Sequence, residues 1–247
     1  MPTATRRERQ REATFEEIVS TSRDLLAAGE ELSLRAIAAR MGMTAPALYR
    51  YVANYQELVD LVAFEIDKAA TDLFRAAADR HRGDPAASAM AAAVAFRRWG
   101  QENPREFGLV FANPVAESAC LRRDLITISH SCRFMNDLLI DLHERHPIPH
   151  PTRDELPPGV LETVVDPVMP VDLDRLTDEN RGLLWVFMRV WAALYGVVTL
   201  EVFGHIDPRL IESGVMFRDM IANLLTPLGL TERAEELLAL VGEELNR

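Results

Sequence analysis

The arginines near the start of the chain are the residues best suited to act on a polyanion. Arg6, Arg7, Arg9 and Arg11 crowd the first dozen positions, and Arg35, Arg40 and Arg50 follow. Such cations displace the counterions condensed on a nucleic acid. A local basic face can therefore bind one even though the chain carries a formal net charge of -11. A solvated N-terminal helix with scattered charges accounts for the first four arginines about as well.

Other chemistry is thinly represented. The sequence has no glycine-rich phosphate loop, nucleophile elbow or zinc-hydrolase motif, and Glu235 and Glu236 fall on an ordinary amphipathic helix where carboxylates are solvated. His143, His146 and His150 lie near Asp141 and Glu144, which raises a metal site as an alternative. They straddle a helix end and a proline-rich stretch, whereas zinc needs a closed ligand set in fixed geometry. The expectation is a protein with no metal, no cofactor and no catalytic residues. A helical scaffold for a partner protein is the other non-enzymatic reading.

With 247 residues, 48% of them hydrophobic and 26% charged, the chain can fold as a small head on a larger body. Cys120 and Cys132 are too few for a disulfide scaffold, and the first residues lead into charge rather than an apolar export segment, which points to the cytoplasm. Residues Leu183 to Leu200 are nearly all apolar and close to membrane-spanning length. Arg189 falls near their middle, and a helix apolar all round suits a protein core or subunit interface, so a buried helix and no membrane are expected.

Apolar positions recur three and four apart almost everywhere, so the fold is expected to be all-α. Helix 1 is expected from Thr14, as N-cap, to Ala28, with Gly29 ending it. Ser33 caps a short second helix, Gly42 turns the chain, Thr44 caps a third with Pro46 in its first turn, and Asn54 caps a long fourth reaching His81. An alanine-rich helix to Glu102, a short one after Asn103-Pro104 and one from Glu117 to His143 follow. Seven prolines between 143 and 176 predict a long loop without regular helix. Helices from Thr177, from Pro208 to Leu225 and from Thr231 to Asn246 complete the chain.

The segment from Ser33 to Tyr51 has helix-turn-helix spacing, in which the second helix can enter a major groove. Any pair of helices joined by a glycine turn shares that spacing. The residues are more specific. Leu34-Arg35-Ala36-Ile37-Ala38-Ala39-Arg40-Met41-Gly42-Met43, then Pro46-Ala47-Leu48-Tyr49-Arg50-Tyr51-Val52 and Asn54-Tyr55-Gln56-Glu57-Leu58, resemble the TetR family of transcriptional regulators. The likeness runs from about Arg11 to Leu61. It implies that Thr44, Ala45, Pro46, Ala47 and Arg50 face bases and nearby sugar-phosphate, while Tyr49 and Tyr51 bond phosphates. Ser33, Arg35, Tyr55, Arg6 and Arg7 complete the expected DNA contacts. Physically, a helix N-terminus offers free amides to phosphate, and Arg50 can fork onto guanine. Packing is the alternative role for Tyr49. The family commonly has lysine where Tyr55 stands and phenylalanine where Val52 stands. Tyr55 can hydrogen-bond phosphate without neutralising it, so deleting Arg6, Arg7 and Arg9 is expected to weaken a salt-sensitive complex.

Farther on, Phe96-Arg97-Arg98-Trp99, Asn103-Pro104-Arg105-Glu106-Phe107 and Trp191-Ala192-Ala193-Leu194-Tyr195-Gly196 resemble the WHG-type TetR C-terminal domain, with Tyr195 where that motif has histidine. The resemblance implies a three-helix DNA-binding head, residues 1–61. A long helix joins it to a helical ligand-binding and dimerisation body, residues 62–247. Phe96, Trp99, Phe107, Phe111, Phe134, Trp185, Met188, Trp191 and Tyr195 are the candidates for a ligand cavity, with packed core as the other account of them. The implied function is a homodimeric repressor, released from a near-palindromic double-stranded operator by a small, mainly apolar effector, with activation left open.

Overall fold

The computed structural model describes residues 5–112 and 129–247. Cys120, and the expected helix start at Glu117, lie outside the described residues. Among the described residues there are twelve α-helices and no strand. The chain separates into two compact units. One takes the residues up to Asp67 with the described part of 103–122, and the other takes Lys68–Glu102 with the described part of 123–247.

In the first unit α1 (Arg6–Ala28) packs on α2 (Leu34–Arg40), which packs on α3 (Ala45–Leu48). The first half of α4 (Tyr55–Asp79) and α6 (Pro104–Phe111) complete it. Ile18, Leu25, Ile37, Leu48, Leu58 and Phe107 are fully enclosed. Each such side chain contributes about 1.5–3 kcal/mol by leaving water. α6 is tied to α1 by polar bonds as well. Arg23 forks onto Glu106 at 2.7 and 3.2 Å, and Arg105 donates to the carbonyls of Leu26 and Ala27, both at 3.1 Å. Those carbonyls lie in the last turn of α1, where Gly29 (φ 76°) turns into the left-handed region and its amide also donates to the Leu26 carbonyl at 3.0 Å.

α1 begins eight residues before the expected Thr14. Thr5 forms a capping box with Glu8, while the Thr14 hydroxyl donates to the Gln10 carbonyl one turn back, a bond that a helix interior accommodates.

The second unit is organised around α5 (Pro85–Glu102), whose residues are buried on most sides. Its run of alanines lets α7 (His130–Arg145), α9 (Gly182–Val202) and α12 (Ala234–Leu245) approach closely. α11 (Val215–Leu225) packs on α9 and α12. Phe74, Phe96, Phe187 and Phe217 fill the core. α12 is pinned by charge: Arg233 forks onto Asp84 at 3.0 and 2.5 Å, and buried Glu244 accepts from Arg80 at 2.5 Å and bonds His81 Nε2 at 3.0 Å.

Three expectations for this unit are corrected. The proline-rich stretch contains a regular helix, α8 (Pro158–Val165), because Pro157 and Pro158 stand at its first positions, where a missing amide hydrogen costs nothing. The helix expected from Pro208 to Leu225 is split into α10 (Pro208–Ser213) and α11 by Gly214, which takes φ 62°. The apolar helix is only partly buried. Glu179–Val202 is long and apolar enough to cross a membrane, and a third of its most apolar window is enclosed in the single chain.

Candidate nucleic-acid interface and effector chamber

The helix-turn-helix is set by local chemistry. The Ser33 hydroxyl accepts the Ala36 amide at 3.2 Å to start α2, and Gly42 (φ 65°) reverses the chain behind it. Pro46 lies in the first turn of α3, and Leu48 on the inner side of α3 is wholly buried. Asn54 accepts the Glu57 amide at 2.9 Å, and Glu57 accepts the Ala53 amide at 2.5 Å, so α4 starts with reciprocal caps. Thr44 opens α3 through its backbone alone. Its exposed side chain makes no capping bond, unlike that of Ser33.

The expected DNA contacts fall into three groups. Thr44, Pro46, Tyr49 and Arg50 are exposed on α3 and the turn after it, with Ala45 and Ala47 half-buried beside them. Tyr49 is 52% exposed, which separates it from the packing role. Tyr51 is half-buried with its ring edge-on to Phe15 at 5.7 Å, so its ring is used in packing. Tyr55 is exposed at the start of α4, where partial burial and the charge of Glu31 raise its phenol above the usual range. Ser33 is half-buried at its cap and Arg35 exposed on α2, whereas Arg40 is held by Glu30 at 2.5 Å. Arg6 and Arg7 are exposed, but they lie within α1 and not in an arm ahead of it.

In the second unit an apolar chamber of about 80 Å³ lies among α5, α7, α9 and α11. Met90, Ala93, Cys132, Phe187, Trp191 and Ile221 are among its walls. Asn136 is the polar exception, and its amide is already donated to the Pro170 carbonyl at 2.9 Å. Of the ligand candidates read from sequence, Trp191 lines this chamber. Phe96 and Trp99 are core, set edge-on to Phe74, and Phe96 also touches Trp191 at 5.5 Å. Tyr195 stacks on Trp191 at 5.8 Å, and Trp185 and Met188 are half-buried on α9 away from the walls. Phe107 and Phe111 face each other at 5.1 Å in the first unit, and Phe134 lines a separate groove. The lining that sequence reading missed carried a faint signal. Cys132, Met135, Asn136 and Leu139 repeat at helical spacing on α7, as do Phe187, Val190, Trp191 and Leu194 on α9.

At one end of the same helices lies a buried ion pair. Arg97 of α5 donates to Glu201 of α9 at 2.5 Å and to the Ile211 carbonyl of α10 at 2.7 Å, and it lies 5.5 Å from the Phe217 ring centre. Burial raises the Glu201 carboxyl above its usual range, outweighing the hydrogen bond and charge of Arg97.

The histidines expected as an alternative metal site have other duties. His143 Nδ1 accepts the Ile148 amide at 3.1 Å, and His150 Nδ1 bonds the Ile148 carbonyl at 2.7 Å. Among the described residues no group of three or more His, Cys, Asp or Glu is placed to hold a metal.

Residues 89–224 match the family described as Tetracyclin repressor-like, C-terminal domain. Over 89 residues the chain is 37% identical to the HTH-type transcriptional regulator Rv1816 of Mycobacterium tuberculosis and equally to the HTH-type transcriptional regulator Mb1846 of Mycobacterium bovis. Each match covers 34% of this chain and 36% of the relative, so the likeness spans about a third of those proteins. The crystal structure of SCO4313 superposes with a TM-score of 0.63 at 26% identity, over 90% of this chain and 100% of that one. With a matching body domain over more than half its length and an all-helical fold shared with SCO4313, the chain belongs to the TetR family, whose members are transcriptional regulators and not enzymes.

Proposed function

We propose that this regulator is a cytoplasmic homodimeric repressor that leaves a near-palindromic operator when a small, mainly apolar ligand occupies its body, residues 62–247, behind a reading head of residues 1–61. The observation that carries the reading is the surface built on buried Leu48: Thr44, Pro46, Tyr49 and Arg50 stand exposed on the side of α3 away from the core. Arg50 makes no ion pair among the described residues and is available to fork onto guanine.

Pairing is supported by the uncovered part of α9. Leu200 of α9 is 38% exposed, and Leu210 of α10 and Val215 of α11 are 36% and 47% exposed; an apolar helix such as α9 gains most by packing against a second copy. Exposed Arg189 in the middle of α9 opposes lipid as the covering phase. A two-fold pair offers two heads to successive turns of duplex, which requires a near-palindromic site. Ligand releases DNA only by favouring a body conformation in which the heads fit the operator less well. α4 runs unbroken from Tyr55 to Asp79, giving a covalent path for that coupling without a flexible linker.

Operators selected from random duplexes by the purified protein test the reading. Arg50→Ala is expected to lower operator affinity about 10- to 100-fold, matching the ~1–3 kcal/mol of a bidentate base contact, without changing thermal stability. Equal affinity for every duplex, or a monomer in sedimentation, refutes it.

A further inference from the structure

The apolar chamber is small. Pockets that enclose a drug-sized ligand run to roughly 300–1,000 Å³, against about 80 Å³ here. A second cavity adjoins it within the same unit, a groove of about 570 Å³ between the end of α4, the turn at Gly83, the start of α5 and α7. Leu138, 8% exposed, belongs to the walls of both.

The groove is polar and its charges are unevenly engaged. Its four carboxylates each have a guanidinium close by: Asp79 has Arg82 at 2.9 Å, Asp137 has Arg133 at 3.3 Å, and Asp141 and Glu144 share Arg175 at 2.6 and 2.8 Å. Two of its arginines pair with no carboxylate among the described residues. Arg75 lies over the Phe134 ring at 4.7 Å, and Arg145 donates to the Gly83 carbonyl at 2.6 Å. Burial, ahead of the opposing charge of Arg133, pushes the Asp137 carboxyl up. A guanidinium presents a planar fork that fits a carboxylate, and the Phe134 ring gives the same place an apolar floor.

We infer that the effector is an amphipathic organic anion, with its apolar end in the chamber beyond Leu138 and its acid group on Arg75, whose guanidinium lies over the Phe134 ring. The inference rests on the effector reading above and narrows it from an apolar molecule to an apolar body carrying one acid.

Calorimetric titration of the full chain with straight-chain carboxylates from butyrate to dodecanoate, set against octanol and acetate, tests it. An affinity maximum at an intermediate chain length is expected, with octanol and acetate each at least tenfold weaker than the best carboxylate. Arg75→Gln should lower affinity for that carboxylate at least tenfold, about 1.4 kcal/mol, and leave octanol unaffected. The Arg75 side chain is exposed, so the variant is expected to fold, and an unchanged melting midpoint verifies this. Binding by no member of the series, octanol matching octanoate, or full retention in the variant overturns the inference. Operator release is read separately. A carboxylate that binds through Arg75 yet leaves the operator occupied refutes the effector role and keeps the site. Release by an uncharged apolar ligand keeps the effector role and refutes the acid.

Discussion

Replacing Glu201 by leucine removes one half of a buried ion pair and strands the other. Arg97 is 8% exposed and Glu201 3%, and their atoms meet at 2.5 Å. Removing one member of such a pair costs about 3–5 kcal/mol, because the remaining charge stays buried without its counterion. Arg97 keeps its bond to the Ile211 carbonyl and its place beside the Phe217 ring, which puts the cost at the lower end, about 3 kcal/mol. At roughly 2–4 °C per kcal/mol for a chain of this size, the melting midpoint should fall by about 6–12 °C. The double change Arg97→Met with Glu201→Leu removes both desolvation penalties and should melt at or above the parent. Glu201 Oε1 has no hydrogen-bond partner among the described residues, so the pair is costly to bury even when intact. Thermal unfolding followed by far-UV circular dichroism decides the matter. A single variant that melts with the parent, or a double variant that melts as low as the single, refutes the account.

Two further outcomes concern the strap that carries Ile148 and Pro151. A Cβ at Gly182 would lie 1.8 Å from the Pro151 carbonyl oxygen, so Gly182→Ala must displace the strap from the start of α9 and should lower stability by about 1–3 kcal/mol in a melt; an unchanged midpoint contradicts that seating. His143 accepts the Ile148 amide only while neutral, and burial, reinforced by His150, holds its pKa below the usual 6.5. The unfolded chain therefore takes up that proton first. The stability contributed is full above about pH 6.5 and is lost as pH falls from there through the lowered folded value. His143→Gln should flatten the melting midpoint across that window, and an unaltered pH profile would remove His143 from the explanation.

The head was legible in the sequence because its signals are local. Ser33, Gly42, Pro46 and Asn54 act on backbone within a turn of themselves, and each fixes a helix boundary wherever the rest of the chain lies. The start of α1 is not decided by capping pattern alone: Thr14 has Glu17 three positions on just as Thr5 has Glu8, and the helix runs through Thr14 to the box at Thr5. The prolines at 157 and 158 predict a break in helix, yet they open α8, since proline carries opposite meanings at the first turn and in the interior. The aromatic residues were the harder case. Size alone does not say whether a ring fills the core, as Phe96 does, or borders a cavity, as Trp191 does.

Periodicity by itself determined an all-helical chain, and the residues from Leu34 to Leu58 carried the family resemblance and with it the extent of the reading motif, because all of these depend on neighbours within a few positions. Tertiary packing alone decided that Arg97 meets Glu201 across 104 positions, that a small chamber lies among four helices, and that Arg75 and Arg145 border a groove without carboxylate partners among the described residues. Those contacts join residues far apart in the chain, and no local pattern records which faces of separate helices come together.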